Sequence, residues 1–252
     1  MSVRLPAVAG LFYPADATEV RMMIDGMLRD VKAGAVGGTL RAIVVPHAGY
    51  IYSGTVAAHA YALTKDQDFK NVIILGPSHH VYLHGFASDP HEQWSTPLGK
   101  VDVIPSTFAQ SAIAHRREHS IEVQVPFIQA VLPNARILPL VFGDADVETA
   151  ADEIESMLDD DTLLVVSSDL SHYHSYDDAK RIDAATLNAI MSLDRKKIVA
   201  HGDACGRVPV QVLMEIAKRK KWKPTVLCAM NSGDTAGGKR NVVGYASIAF
   251  TS

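Results

Sequence analysis

The chain has 252 residues, 48% of them apolar, a formal net charge of −4 and a pI near 6.2. That apolar content excludes global disorder and allows a sizeable core, and the slight acidity gives no reason to expect nucleic acid or a membrane surface as partner. No apolar run approaches the roughly 20 residues that cross a bilayer, and Pro6, Pro14 and Asp16 interrupt any signal-peptide pattern, so a cytoplasmic location is expected. In a reducing compartment Cys205 and Cys228, which form no CxxC pair, are free thiols or a ligand.

The opening run Ala9-Gly10-Leu11-Phe12-Tyr13-Pro14 reads as a turn that packs an aromatic pair. Ala17–Val31 has helical periodicity, with Val20, Met23, Ile24, Met27 and Leu28 on one face. Gly34, Gly37 and Gly38 then break the chain. Strands are expected at Leu40–Pro46, Asn71–Leu75, Ile137–Phe142, Leu163–Val166, Thr225–Met230 and Val242–Phe250. Shorter strands are expected at Phe86–Ala87 and Val101–Ile104, around a polar excursion from His84 to Lys100. Helices are expected at Gly54–Leu63, Ser120–Leu132, Val147–Leu158, Tyr176–Met191 and Val208–Ala217, with another beginning near Ile198–Ala200. Pro126 should kink or start the helix that holds it. The basic run Lys218-Arg219-Lys220-Lys221 reads as a solvated helix end. Continuous Val/Ile/Leu strands separated by helices predict an α/β fold, a mostly parallel or mixed sheet covered on both faces. With no linker and no internal repeat, residues 1–252 read as one domain.

Three strands end in metal-capable side chains. Val44-Val45-Pro46-His47 brings one histidine, Ile73 through His79-His80 brings two, and Val165 through Ser171-His172 brings Asp169 and His172. In an open α/β sheet chemistry gathers beyond the carboxyl ends of the strands, so these ends predict a single site, with neutral imidazole as the expected metal ligand. His80 should point away from His79, because neighbours in extended chain face opposite ways. Asp169 could ligate a metal, orient an imidazole or cap a helix. His172 could act as general acid or base. Glu118 and His119, ahead of an apolar helix, either project into the same crevice or serve ordinary helix-start chemistry with Ser120, Glu122 and Gln124. Cys205 has small neighbours, and a position near a helix start should favour its thiolate; by itself, though, it reads as a small core residue. Arg207 could receive a phosphate or carboxylate.

Pro46-His47-Ala48-Gly49-Tyr50, Leu75-Gly76-Pro77-Ser78-His79-His80, Glu118-His119-Ser120-Ile121-Glu122, Ser167-Ser168-Asp169 and Cys205-Gly206-Arg207, in that order, resemble the Memo family (mediator of ErbB2-driven cell motility), whose prokaryotic members are called AmmeMemoRadiSam system protein B. The resemblance runs from Ala9 to Ala246. It implies an α/β/α sandwich similar to the class III extradiol dioxygenases, which use non-haem Fe(II) held by two histidines and a carboxylate. Carried over, the implied metal ligands are His47, His79 and Cys205, with His172 as catalytic base, Asp169 beside it, and Glu118, His119, His80, Tyr50 and Arg207 supporting the site or its ligand. A thiolate in place of a carboxylate shifts preference toward copper or zinc and alters the potential of a bound iron. The resemblance thus implies a metal-dependent oxidoreductase with Fe(II) or copper, zinc being admissible, acting on a small-molecule or peptide ligand and linked by pathway to a radical-SAM enzyme. Alternatives are a phosphopeptide- or ligand-binding module without turnover, and a copper- or iron-sequestering protein.

Overall fold

The computed structural model describes residues 1–31 and 36–252, so Gly34 lies outside the described residues. In chain order the elements are β1 (Val3–Arg4), α1 (Ala17–Asp30), β2 (Leu40–Val45), α2 (Tyr50–Tyr61), β3 (Asn71–Pro77), β4 (Phe86–Ser88), β5 (Gln93–Thr96), β6 (Gly99–Asp102), α3 (Ala112–Arg116), α4 (Val125–Val131), β7 (Arg136–Phe142), α5 (Val147–Glu155), β8 (Thr162–Ser167), β9 (His172–His174), α6 (Tyr176–Met191), α7 (Arg195–His201), α8 (Arg207–Lys220), β10 (Lys223–Asn231) and β11 (Val242–Thr251).

The main sheet runs β10-β11-β2-β8-β3-β7-β4. Its centre, β2-β8-β3-β7, is parallel, and β11 and β4 join it antiparallel on either side. The sheet is therefore mixed. Successive residues of a strand face opposite sides, and here both sides are apolar. Ile43, Val45, Val72, Ile74, Leu163 and Val165 face one core with Val20 and Ile24 of α1, Ala57 of α2 and Ile128 of α4. Ala42, Val44, Ile73, Leu75, Leu164 and Val166 face the other with Ile154 of α5, Ile190 of α6 and Leu213 of α8. Each fully buried Val, Leu or Ile among them stabilises the fold by about 1.5–3 kcal/mol. The result is an α/β/α sandwich, the layering expected from unbroken apolar strands.

Departures from the sequence reading have local causes. Helix α2 begins at Tyr50, four residues ahead of the expected Gly54, because Tyr50 N–H is taken by the carbonyl of Phe12, a partner distant in sequence. The expected helix Ser120–Leu132 is split into a 3-10 turn at Glu122–Gln124 and α4. Pro126 lies in the first turn of α4, where its missing N–H costs no intrahelical bond. The polar excursion contains β5, which pairs with β1 and β6 in a separate three-stranded sheet. Trp94 buries the inner face of β5, and its polar neighbours hid the strand. The basic run ends α8, with Arg219 bridging Asp152 and Glu215 and Lys221 in the left-handed region at φ 58°. Among the described residues, no helix is long and apolar enough to cross a membrane.

Candidate metal centre

Strand β8 lies between β2 and β3, so the carboxyl ends of these three parallel strands form one continuous edge. His47 follows β2 by two residues, His79 follows β3 by two, and Ser167, the last residue of β8, precedes Asp169 by two. A fourth segment, residues 118–124, ties the three ends together. Ser120 Oγ donates to Pro77 O, and Gln124 Nε2 donates to both Pro46 O and Ser167 Oγ. This stitching uses residues that read as ordinary helix-start chemistry in the sequence.

The ligand atoms of His47, His79 and His119 all lie within 4.8 Å of one another, the one such group found among the described residues. The hydrogen bonds around them select the tautomers. Ser167 Oγ donates its single proton to Ser120 O at 2.5 Å and accepts from Gln124, so its 3.0 Å contact with His47 Nδ1 requires Nδ1–H as donor. His47 Nε2 is therefore the unprotonated nitrogen, and its lone pair faces Cys205 Sγ at 3.1 Å. Glu118 Oε1 accepts from His79 Nδ1 at 2.8 Å, which leaves His79 Nε2 free in the same way. The carboxylate also accepts from the backbone N–H groups of His79, His119 and Ser120. Burial alone would raise Glu118; the bonds from the His79 ring, its backbone and Ser120 outweigh it and hold the carboxyl below the usual range, so it stays ionised. A carboxylate fixing the far nitrogen of an imidazole is the usual support of a metal-binding histidine. Burial, then the neighbouring His79 and His119 rings, pushes His47 well below the ordinary imidazole range. Burial likewise brings His119 down to about 4. Burial thus favours the neutral ring, the ligand form, at His47 and His119.

Cys205 lies beside this group, with Sγ 3.1 Å from His47 Nε2 and accepting from Asp169 N at 3.3 Å. Its contact is with His47, and it is not a member of the three-histidine group. The expectation that a helix start would favour the thiolate is reversed. Burial, followed by the Asp169 carboxyl, pushes the thiol up to about 12, and α8 begins only at Arg207. Asp169 caps no helix. Its Oδ1 accepts from His47 N at 2.7 Å, which fixes the backbone from which that imidazole projects. Burial pushes its carboxyl up to about 6, against the pull of that N–H and of His172. His172 sits on β9 opposite Val243 of β11. His80 is exposed and meets His119 only edge-on, with centroids 6.1 Å apart. Tyr50 is buried and its hydroxyl donates to Val123 O, so its polar end braces the scaffold. Arg207 is exposed at the start of α8.

Comparison with known proteins bears on this geometry. The family described as "Memo-like protein" matches residues 4–249. The chain belongs to the Memo family. It is 38% identical to a "MEMO1 family protein" of Sulfolobus acidocaldarius over 98% of this chain and 99% of that one. Relatives of the same description from Metallosphaera sedula and Methanosarcina mazei are 36% and 35% identical over the same shares. The Memo residues at the strand ends, His47 and His79, are those whose free nitrogens converge here. Sequence reasoning underrated His119, which stands in the convergent group, and missed Ser167 and Gln124, which set the His47 tautomer. The only hint was a run of polar residues, Ser120, Glu122 and Gln124, in an otherwise apolar stretch, and all three are buried.

Proposed function

We propose that this protein is a metal-dependent redox protein that holds iron or copper at His47 and His79 with a third donor. The observation that carries this reading is the convergence of three imidazoles, two of which, His47 and His79, have their far nitrogens bonded elsewhere. His119 completes the set as a nitrogen donor; Cys205, in contact with His47, is the soft donor that the family resemblance implies. Zinc suits the same donors and would be the redox-inert competitor. Bound iron or copper would supply one-electron chemistry and Lewis acidity at an open position, as in the dioxygenases that the family resembles.

The remaining steps fall to the chain's own groups. Asp169, titrating near 6, can hold or release a proton close to neutrality while its bond to His47 N keeps the ligand backbone in place. His172 is the acid/base partner that Asp169 faces electrostatically. A thiol with its pKa near 12 must lose its proton to a metal before it can ligate, so metal binding through Cys205 releases a proton. In this reading the substrate is a small molecule or peptide, the pathway partner a radical-SAM enzyme and the location the cytoplasm.

The test is the metal content of the purified chain against a His47→Ala/His79→Ala variant. Loss of iron and copper in the variant is expected, and equal content in both proteins overturns the reading. The contact between Cys205 and His47 favours one second reading, sequestration of copper(I) without turnover. Oxygen consumption by the metal-loaded protein separates the two.

A further inference from the structure

His119 is held differently from the other two histidines. His47 is tied through Nδ1 to Ser167, and His79 through Nδ1 to Glu118. His119 Nδ1 stays 3.5 Å from Glu118 Oε1, an oxygen already engaged by His79 Nδ1 and by the N–H groups of His119 and Ser120. Ring contacts orient the imidazole instead, tilted by 44° against Phe12 and stacked on His79. Its centroid is 4.6 Å from that of Phe12 and 4.7 Å from that of His79, nearly parallel to the latter at 21°.

Phe12 reaches the site from the opposite end of the sequence, on a strap formed by residues 4–13. Arg4 Nη1 donates to Glu122 Oε2 at 2.7 Å, and its other N–H groups donate to the carbonyl oxygens of His115 and Glu118. Arg4 thus grips the backbone immediately before His119. Glu122 in turn accepts from the N–H groups of Ala7 and Val8 and from the Tyr13 hydroxyl. The Phe12 carbonyl accepts from Tyr50 N at 2.7 Å at the start of α2, three residues after His47. Arg4 and Glu122 are buried, and the guanidinium lies 4.0 Å above the Trp94 ring, so the pair is shielded from solvent. One side chain therefore sets the distance between the strap and the segment that carries His119, and a second, Phe12, sets the ring.

We propose that this N-terminal strap is part of the metal centre, with Phe12, braced by the Arg4–Glu122 pair, as the positioning residue that fixes the His119 imidazole as a ligand. The inference rests on the metal-binding reading above and adds to it a third nitrogen donor and the means by which it is held. A residue that only fills space would affect stability; a residue that aims a ligand also affects the geometry of the bound ion.

Cobalt(II) is the probe, titrated into the full-length metal-free chain under anaerobic conditions and followed by its visible absorption. His119→Ala defines the spectrum and affinity with that donor gone. Phe12→Ala is expected to weaken cobalt(II) binding by about tenfold, the size of effect typical when support of a ligand is lost, and to move the absorption toward that of His119→Ala. Phe12→Tyr, which restores a flat ring, is expected to recover both. If Phe12→Ala does not fold, Phe12→Leu keeps apolar volume without the flat face and should shift both readouts in the same direction. Wild-type affinity and spectrum in the folded Phe12 variant overturns the inference, as does a His119→Ala variant indistinguishable from wild type. Either result leaves metal binding by His47 and His79 standing. A wild-type chain that binds no cobalt(II) removes the metal reading itself and the inference with it.

Discussion

Two clusters of histidine and carboxylate, one interior and one that opens to solvent at His79, share the segment from His115 to Glu122, and they are built on opposite plans. In the inner one, Arg4 faces Glu122 and Asp89, His115 Nε2 is bonded to Ala87 O, and His91 Nδ1 meets Asp89 Oδ1 at 2.6 Å. Opposite charges meet there, and of the cluster's buried side-chain atoms only His115 Nδ1 and Asp89 Oδ2 are left without a hydrogen-bond partner. In the outer one, at the carboxyl edge of the sheet, the anion Glu118 stands behind the histidines, and three ring nitrogens face one another within 4.8 Å. Lone pairs turned toward each other, without a charge between them, are the arrangement that a cation resolves. The difference lies in how many ring nitrogens converge: three in the outer cluster, where a metal ion could be held, and a single unpaired one, His115 Nδ1, in the inner.

The sharpest way to break this comparison is to delete ligands from the outer cluster. His47→Ala/His79→Ala should lower metal affinity by at least about a hundredfold, since two donors are lost, while the metal-free protein keeps its fold by circular dichroism. The inner cluster should respond in the reverse sense. Arg4→Ala strands a buried Glu122 carboxylate and should cost about 3–5 kcal/mol in urea unfolding. A cost below 1 kcal/mol would mean that the pair is not buried in solution.

The outer cluster also has a pH signature in the metal-free state. His119 is brought down from 6.5 to about 4, so the stability associated with its neutral ring is present above pH 6.5 and is lost as pH falls toward 4. Asp169 is raised from 3.8 to about 6, so folding favours its protonated form, and stability from this group is lost as pH rises from about 4 through 6. Each amounts to at most on the order of 3 kcal/mol, and over the shared window from pH 4 to 6 they oppose each other. His47, also lowered by burial, adds to the acid loss over that window, so wild-type stability should fall as pH drops. Asp169→Asn should steepen the acid loss and His119→Gln should flatten it, both read by urea midpoints against pH. Parallel profiles in all three proteins would separate these groups from the folding equilibrium.

The smallest effect concerns Tyr173, a non-glycine residue in the left-handed region at φ 62° that is also largely exposed. Tyr173→Gly should relieve that strain and raise stability by about 0.5–1 kcal/mol, an outcome checked by thermal unfolding.

Most of the sandwich was legible in the sequence, because the central strands are apolar on both faces and only a sheet covered on both sides can bury such strands. β1, β5, β9 and α3 were not legible. They are two to five residues long, and pairing with distant segments stabilises them, with no periodicity of their own to mark them. At the site, His47 and His79 were marked by position, each a polar residue directly after an apolar strand. Asp169 was marked too, but its task was not: whether it would cap, ligate or brace depended on which backbone N–H it met, and that proved to be His47.

The amino-acid sequence by itself determined the layering, the family and the edge of the sheet where chemistry collects, because alternating or continuous apolarity and strand-end residues are local properties. Tertiary structure alone decided that β8 lies between β2 and β3, that Ser167 and Gln124 turn His47 Nε2 inward, that burial keeps Cys205 a thiol, and that Phe12 rests against His119. Those outcomes depend on contacts between residues 40 to more than 150 positions apart, and their sign depends on burial, which no local window of sequence contains.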